Sequence, residues 1–166
     1  IYRNWYNEIQ RKGGEWWHRE IGMPLCLNEC ILLLYEDLEP QGRYAYIRTV
    51  ESYTKDPDWM CIEDVPEIST GANRVWKCTA LSGCGILKGD VHLLDTAAEK
   101  IRDVFCYTNS GDGFYRDGSF IQHLKFPYTG GYGLSFLENI VSYMTLTEGT
   151  LWEIQSAERK ILLDWI

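Results

Sequence analysis

His123 and Tyr132 are the side chains of this sequence best suited to moving a proton. An imidazole takes up or releases one near neutrality, and a phenol gives one as an acid or accepts one as phenolate. Both stand in a single stretch, Ser110 to Gly133, that shows neither helical nor strand periodicity. It holds six glycines, Gly111, Gly113, Gly118, Gly130, Gly131 and Gly133, whose backbones reach conformations other residues avoid. Segments this long without regular structure are uncommon in compact domains and are often functional. Asn73 lies 50 residues before His123, where a helix is expected to start. An amide there either caps the helix or offers N–H groups to an anion. Trp16 and Trp17 offer flat apolar faces that stack on sugar rings or fill a helical core. A different chemistry is open to Asp112, Asp117 and Glu138, which could pair as the acid and base of a hydrolase.

Helices must position these groups. Leu27, Ile31 and Leu34, with Cys30 beside them, recur at helical spacing between Pro24 and Tyr35. Glu39-Pro40-Gln41-Gly42 reads as a turn, and residues 43–55 as a second helix with Tyr46, Ile47, Val50 and Tyr53 inward. A turn-rich connection over 56–67 leads to a helix that runs from about Asn73 to Lys88. Its Ala80, Ser82, Gly83, Cys84 and Gly85 allow a neighbouring helix to approach closely. Gly89-Asp90 ends that helix and caps the next, where Val91, Leu94, Ala98, Ile101 and Phe105 form the cleanest stripe. Beyond the glycine-rich stretch, Phe136, Leu137, Ile140, Val141 and Met144 mark another helix, stopped by Glu148-Gly149. A last one is expected from about Leu151, with Ile154, Ala157, Ile161 and Trp165 on one face. Residues 2–10 read as the tail of a helix broken by Lys12-Gly13-Gly14. No segment alternates as a strand. The pattern predicts an all-α chain of about six helices joined as antiparallel hairpins around one catalytic loop.

Composition narrows the partners. The formal charge of −8 argues against nucleic acid, which needs a cationic surface. A polyanionic sugar stays possible, because a cleft can be locally positive on an acidic protein. No apolar run approaches the length of a bilayer span, so no membrane partner is expected. Six cysteines, Cys26, Cys30, Cys61, Cys78, Cys84 and Cys106, form an even set that fits disulfides in a secreted protein, and equally fits buried free thiols. With no C-x-x-C and three histidines, His18, His92 and His123, a metal site is not expected. The chain opens on Ile1 and ends within helix-like sequence at Ile166, which suggests a piece of a longer protein.

Four ordered motifs carry a family resemblance. They are Trp16-Trp17-x-x-Glu20-Ile21-Gly22-x-Pro24, Thr70-Gly71-Ala72-Asn73-Arg74, Gly111-Asp112-Gly113-Phe114-Tyr115-x-Asp117-Gly118-Ser119-Phe120-Ile121-Gln122-His123 and Tyr128-Thr129-Gly130-x-Tyr132-Gly133. The sequence resembles polysaccharide lyase family 8, which contains hyaluronate, chondroitin AC and xanthan lyases. The resemblance implies an incomplete α/α toroid, with residues 1–166 as part of its catalytic domain and the remaining helices and β-sandwich domains outside them. It implies a secreted enzyme that acts as a monomer on an acidic polysaccharide, needs no cofactor or metal, and cleaves by β-elimination at a uronate. Catalysis falls on Asn73, His123 and Tyr132, and substrate binding on Trp16, Trp17, Arg74 and Gln122. Arg116 and Lys125 are further candidates for positive charge. The proton roles of His123 and Tyr132 stay undivided at this level, with Tyr132 favoured as the main carrier through a lowered pKa. A two-carboxylate toroid hydrolase and a non-catalytic carbohydrate-binding module are the competing readings. Elimination leaves an ultraviolet-absorbing double bond, which neither of them produces.

Overall fold

The computed structural model describes residues 16–54, 56–63 and 65–166. The helix tail over 2–10 and its break at Lys12-Gly13-Gly14 lie outside the described residues. Within them run six α-helices: α1 (Met23–Leu33), α2 (Pro40–Tyr53), α3 (Gly71–Lys88), α4 (Val91–Ile101), α5 (Leu134–Thr147) and α6 (Ser156–Trp165). Residues His18–Gly22 form a wider π-helical turn that leads into α1, and Thr129–Gly133 form another that leads into α5. Pro40 opens α2, where its missing N–H costs nothing. Gly89, at φ 64°, ends α3 in the left-handed conformation, and Asp90 accepts a bond from the His92 N–H to cap α4. That punctuation is the one expected from Gly89-Asp90.

The middle of the molecule is α3, which packs against α1, α2, α4 and α5. Its small residues make this possible: a Cβ on Gly85 would lie 2.9 Å from a Leu94 methyl of α4. Two apolar clusters sit on either side of it. Met23, Leu27, Ile31, Val50, Cys84 and Leu87 join α1 and α2 to the C-terminal half of α3. Val75, Cys78 and Leu81 meet Ile101, Phe136, Ile140 and Trp165 on the other side, and Phe114 and Phe120 reach into this cluster from the glycine-rich stretch. No disulfide joins the six cysteines, all of which lie among the described residues. Burial pushes the Cys78 thiol up to about 12, so it behaves as a small apolar filler. No helix among the described residues is long and apolar enough to cross a membrane.

Strands appear where none was expected. Trp59–Ile62 (β1) and Val65–Ile68 (β2) pair antiparallel within the turn-rich connection. Gly113–Phe114 (β3), Phe120–Gln122 (β4) and Phe126–Pro127 (β5) build a three-stranded meander inside the glycine-rich stretch. These strands are short, and β2 is exposed along its length, so no alternation marks it. The last helix also starts later than expected, at Ser156 rather than about Leu151. The fold remains helical in class, with the two small sheets as struts between helices.

Candidate active site

The glycine-rich stretch is held down by its own aromatics. Phe114 stacks on Trp165 with ring centres 4.6 Å apart, and Phe120 lies 5.5 Å from Phe136. Gly133 lets α5 begin against this anchor, since a Cβ there would stand 3.1 Å from Phe120. The rest of the stretch therefore rises from a fixed base. His123 occupies the tip of the β4–β5 turn, exposed, at φ 55°, and Leu124 follows at φ 68°. Two successive left-handed residues without glycine are strained by about 1–3 kcal/mol each, and persist only where surrounding contacts hold them.

Tyr132 sits on the π-helical turn before α5, and its ring meets that of His123 edge to face at 5.0 Å. The two proton-moving groups expected from the sequence are thus side by side. Tyr128 joins them, 5.0 Å from Tyr132. On its other side Tyr132 touches Trp76 of α3 at 5.8 Å, and Trp76 meets Trp17 at 5.6 Å. Trp17 packs its ring on Gly22, where a Cβ would come within 2.8 Å, which explains the Trp-to-Gly spacing of that motif. Trp17, Trp76, Tyr132 and His123 therefore make one aromatic row. Trp16, the residue before Trp17, is half-buried.

Asn73 lies on α3 one turn before Trp76, and residues three apart share a helix face. It is 2% exposed. Its Nδ2 approaches the Met60 sulfur of β1 at 3.8 Å, and its Oδ1 has no hydrogen-bond partner among the described residues. A thioether is a weak acceptor, so the amide is placed without losing its capacity to donate. Depth grades along the site, from buried Asn73 through half-buried Tyr132 to exposed His123.

Two expected substrate contacts are placed elsewhere. Gln122 is fully buried, with its Oε1 accepting from the Ala72 N–H at 3.4 Å and its Nε2 donating to Asp112 at 2.6 Å. Arg74 is buried as well: its guanidinium donates to Ser69 and pairs with Asp58 and Asp103. Neither faces outward, because each is consumed in tying α3 to its neighbours. Lys77 is likewise paired with Glu20 at 3.0 Å, whose carboxylate also accepts from the Cys61 N–H at 3.1 Å. Arg116 lies over the Tyr107 ring and Lys125 near Phe126. The hydrolase alternative fares poorly, since Asp112 accepts from Thr70, Gln122 and Leu124, and Asp117 binds Ser119. Sequence reasoning missed Trp76 and Met60, although the i,i+3 spacing of Asn73 and Trp76 was a usable signal for the first.

Tyr132 departs from its expected electrostatics. Burial raises its phenol pKa above the ordinary 10.0, and the neighbouring Tyr128 and Asp112 push the same way. Among the described residues no cation lowers it. At neutral pH the group is a neutral phenol, the form that donates a proton.

Gly71 shows how tightly α3 and the loop are joined. It begins α3 at φ 53°, and a Cβ on it would lie 2.6 Å from Gln122 Oε1. Gly71→Ala is expected to destabilise the protein by about 2 kcal/mol or more, through left-handed strain and a displaced Gln122. Thermal unfolding checks this; an unchanged midpoint would mean the junction is slack.

Comparison with known proteins decides the family. The family model described as "Polysaccharide lyase family 8, N terminal alpha-helical domain" matches residues 1–166. The chain belongs to polysaccharide lyase family 8. A hyaluronate lyase of Thermasporomyces composti is 39% identical over 153 residues, covering 92% of this chain and 19% of that protein. A xanthan lyase of Bacillus sp. (strain GL1) is 35% identical over 170 residues, covering 100% of this chain and 17% of that protein. Among solved structures, the Streptomyces coelicolor A3 chondroitin AC lyase in complex with chondroitin sulphate superposes with a TM-score of 0.82 at 33% identity, covering 92% of this chain and 20% of that one. This family 8 chain thus spans about a fifth of the length of these relatives, and its helices take the place of part of their α/α toroid.

Proposed function

We propose that this chain carries the catalytic residues of a polysaccharide lyase that cleaves a uronate-containing polymer by β-elimination. Asn73 donates an amide N–H to the uronate carboxylate, which gains negative charge as the α-proton leaves. His123 takes the C5 proton. The electron pair forms the C4=C5 double bond, the C4–O bond breaks, and Tyr132 gives its proton to the departing oxygen. No water is consumed. The raised phenol pKa supports this division, because a neutral phenol is an acid and not a base. Depth supports it too: the carboxylate would point down towards Asn73 while the ring edge faces His123. The aromatic row through Trp76 and Trp17 would then support neighbouring sugars.

The single observation that carries the reading is the 5.0 Å contact between His123 and Tyr132 on the flank of the α3 face that bears Asn73. Secretion, a monomeric state and the absence of a cofactor follow only from the family likeness and belong to the same proposal. The test is the full-length protein on hyaluronan, chondroitin and xanthan, read by ultraviolet absorbance of the unsaturated uronate. The compact Asn73-to-His123 spacing leads us to expect the fastest reaction on a glycosaminoglycan. New reducing ends without absorbance would mean hydrolysis, and binding without either would mean a binding module.

A further inference from the structure

We propose that Asp112 is a positioning residue that sets His123 against Asn73, an inference that rests on the elimination reading above. Its carboxylate gathers three donors from two parts of the chain. Thr70 Oγ1, at the start of α3, donates to Oδ2 at 2.7 Å. Gln122 Nε2 donates to the same oxygen at 2.6 Å. The Leu124 N–H donates to Oδ1 at 2.7 Å. Gln122 and Leu124 are the residues on either side of His123, so the base is gripped before and after its own position. Thr70 and the Ala72 N–H, which donates to Gln122 Oε1, lead into Asn73.

Asp112 therefore joins Thr70, 42 positions before it, to the two chain neighbours of one imidazole. Each group facing it, the Thr70 hydroxyl, the Gln122 amide and the Leu124 N–H, donates to it, so the place suits an acceptor. The left-handed angles at His123 and Leu124 need such an outside hold, and the bond to the Leu124 N–H supplies it. With its oxygens occupied, Asp112 holds the machinery and takes no proton itself.

The test swaps the pair in the full-length protein. Asp112→Asn turns one acceptor into a donor facing donors, and kcat is expected to fall about 100-fold, as for a base displaced by a fraction of its reach. KM is expected to stay within about threefold, because the loss falls on the transition state. Gln122→Glu sets two carboxylates face to face and is expected to do comparable damage. Asp112→Asn with Gln122→Glu restores one donor against one acceptor at unchanged net charge, and kcat is expected to return to within about tenfold of wild type. Amide exchange over residues 119–126 should quicken in both single variants and recover in the double. Should a single variant fail to fold, Thr70→Val removes one donor alone and is expected to lower kcat several-fold. Wild-type kcat in Asp112→Asn, or a folded double variant no better than its worse parent, overturns the proposal. If the wild type makes no unsaturated product from any of the polymers, the elimination reading fails, and the exchange pattern alone then decides whether Asp112 sets the turn.

Discussion

Asn73→Ala in the full-length protein is expected to lower kcat/KM by about 100- to 1,000-fold, the usual loss of a donor aimed at developing negative charge. Asn73→Asp is expected to do worse. It places a carboxylate, at a position 2% exposed, where the proposed mechanism seats the carboxylate of the substrate. Like charges in a poorly solvated site repel strongly, and the neighbouring Met60 sulfur offers no compensation. The cations beside it on the same helix are already held, Arg74 by Asp58 and Asp103 and Lys77 by Glu20. The two variants should diverge with pH. Burial raises the pKa of the introduced acid, so acidification protonates it early and turns it into an O–H donor. Activity of Asn73→Asp relative to Asn73→Ala is therefore expected to rise as pH falls. Steady-state rates of unsaturated product across pH measure it. Near-wild-type turnover of Asn73→Ala would take the amide out of the mechanism.

The helical frame was legible because its residues follow one physical period. In the α4 stripe Ala98 and Ile101 are buried and Leu94 is half-buried, although Phe105 packs from beyond the end of α4 and Val91 faces solvent. The Gly89-Asp90 stop and cap read correctly because both act locally, within a turn of the residue itself. Non-local features were not legible. The β1–β2 hairpin carries Pro66 and an exposed β2, so it lacks alternation, yet it delivers Met60 to Asn73. The fates of Gln122 and Arg74 were hidden for a similar reason: a polar side chain inside a catalytic motif looks the same whether it faces substrate or braces the residue that does. Only Asp112, Asp58 and Asp103, brought in from elsewhere, distinguish the two. The pairing of His123 with Tyr132 was foreseen from motif likeness, and the direction of the Tyr132 shift was not, because it depends on Tyr128 and Asp112 in three dimensions.

That direction makes the second large effect a test of role as well as of presence. Tyr132→Phe keeps the ring contacts with His123 and Trp76 and removes only the hydroxyl. Turnover is expected to fall by about 100- to 10,000-fold, the range for loss of a positioned acid or base. The sign of the pKa shift selects between them. A phenol raised above 10.0 stays protonated as pH climbs through the neutral range, so the donor form is present throughout it. A bound uronate adds another negative charge, which raises the phenol further and disfavours phenolate still more. An acid role predicts that a substrate with an aryl leaving group, which needs no protonation, restores much of the activity of Tyr132→Phe. It also predicts that such a substrate does nothing for His123→Ala, where the C5 proton still has no acceptor. Rescue of His123→Ala and not of Tyr132→Phe would reverse the two roles, and the raised phenol pKa would then have to be overcome by a cation that does not act on Tyr132 among the described residues.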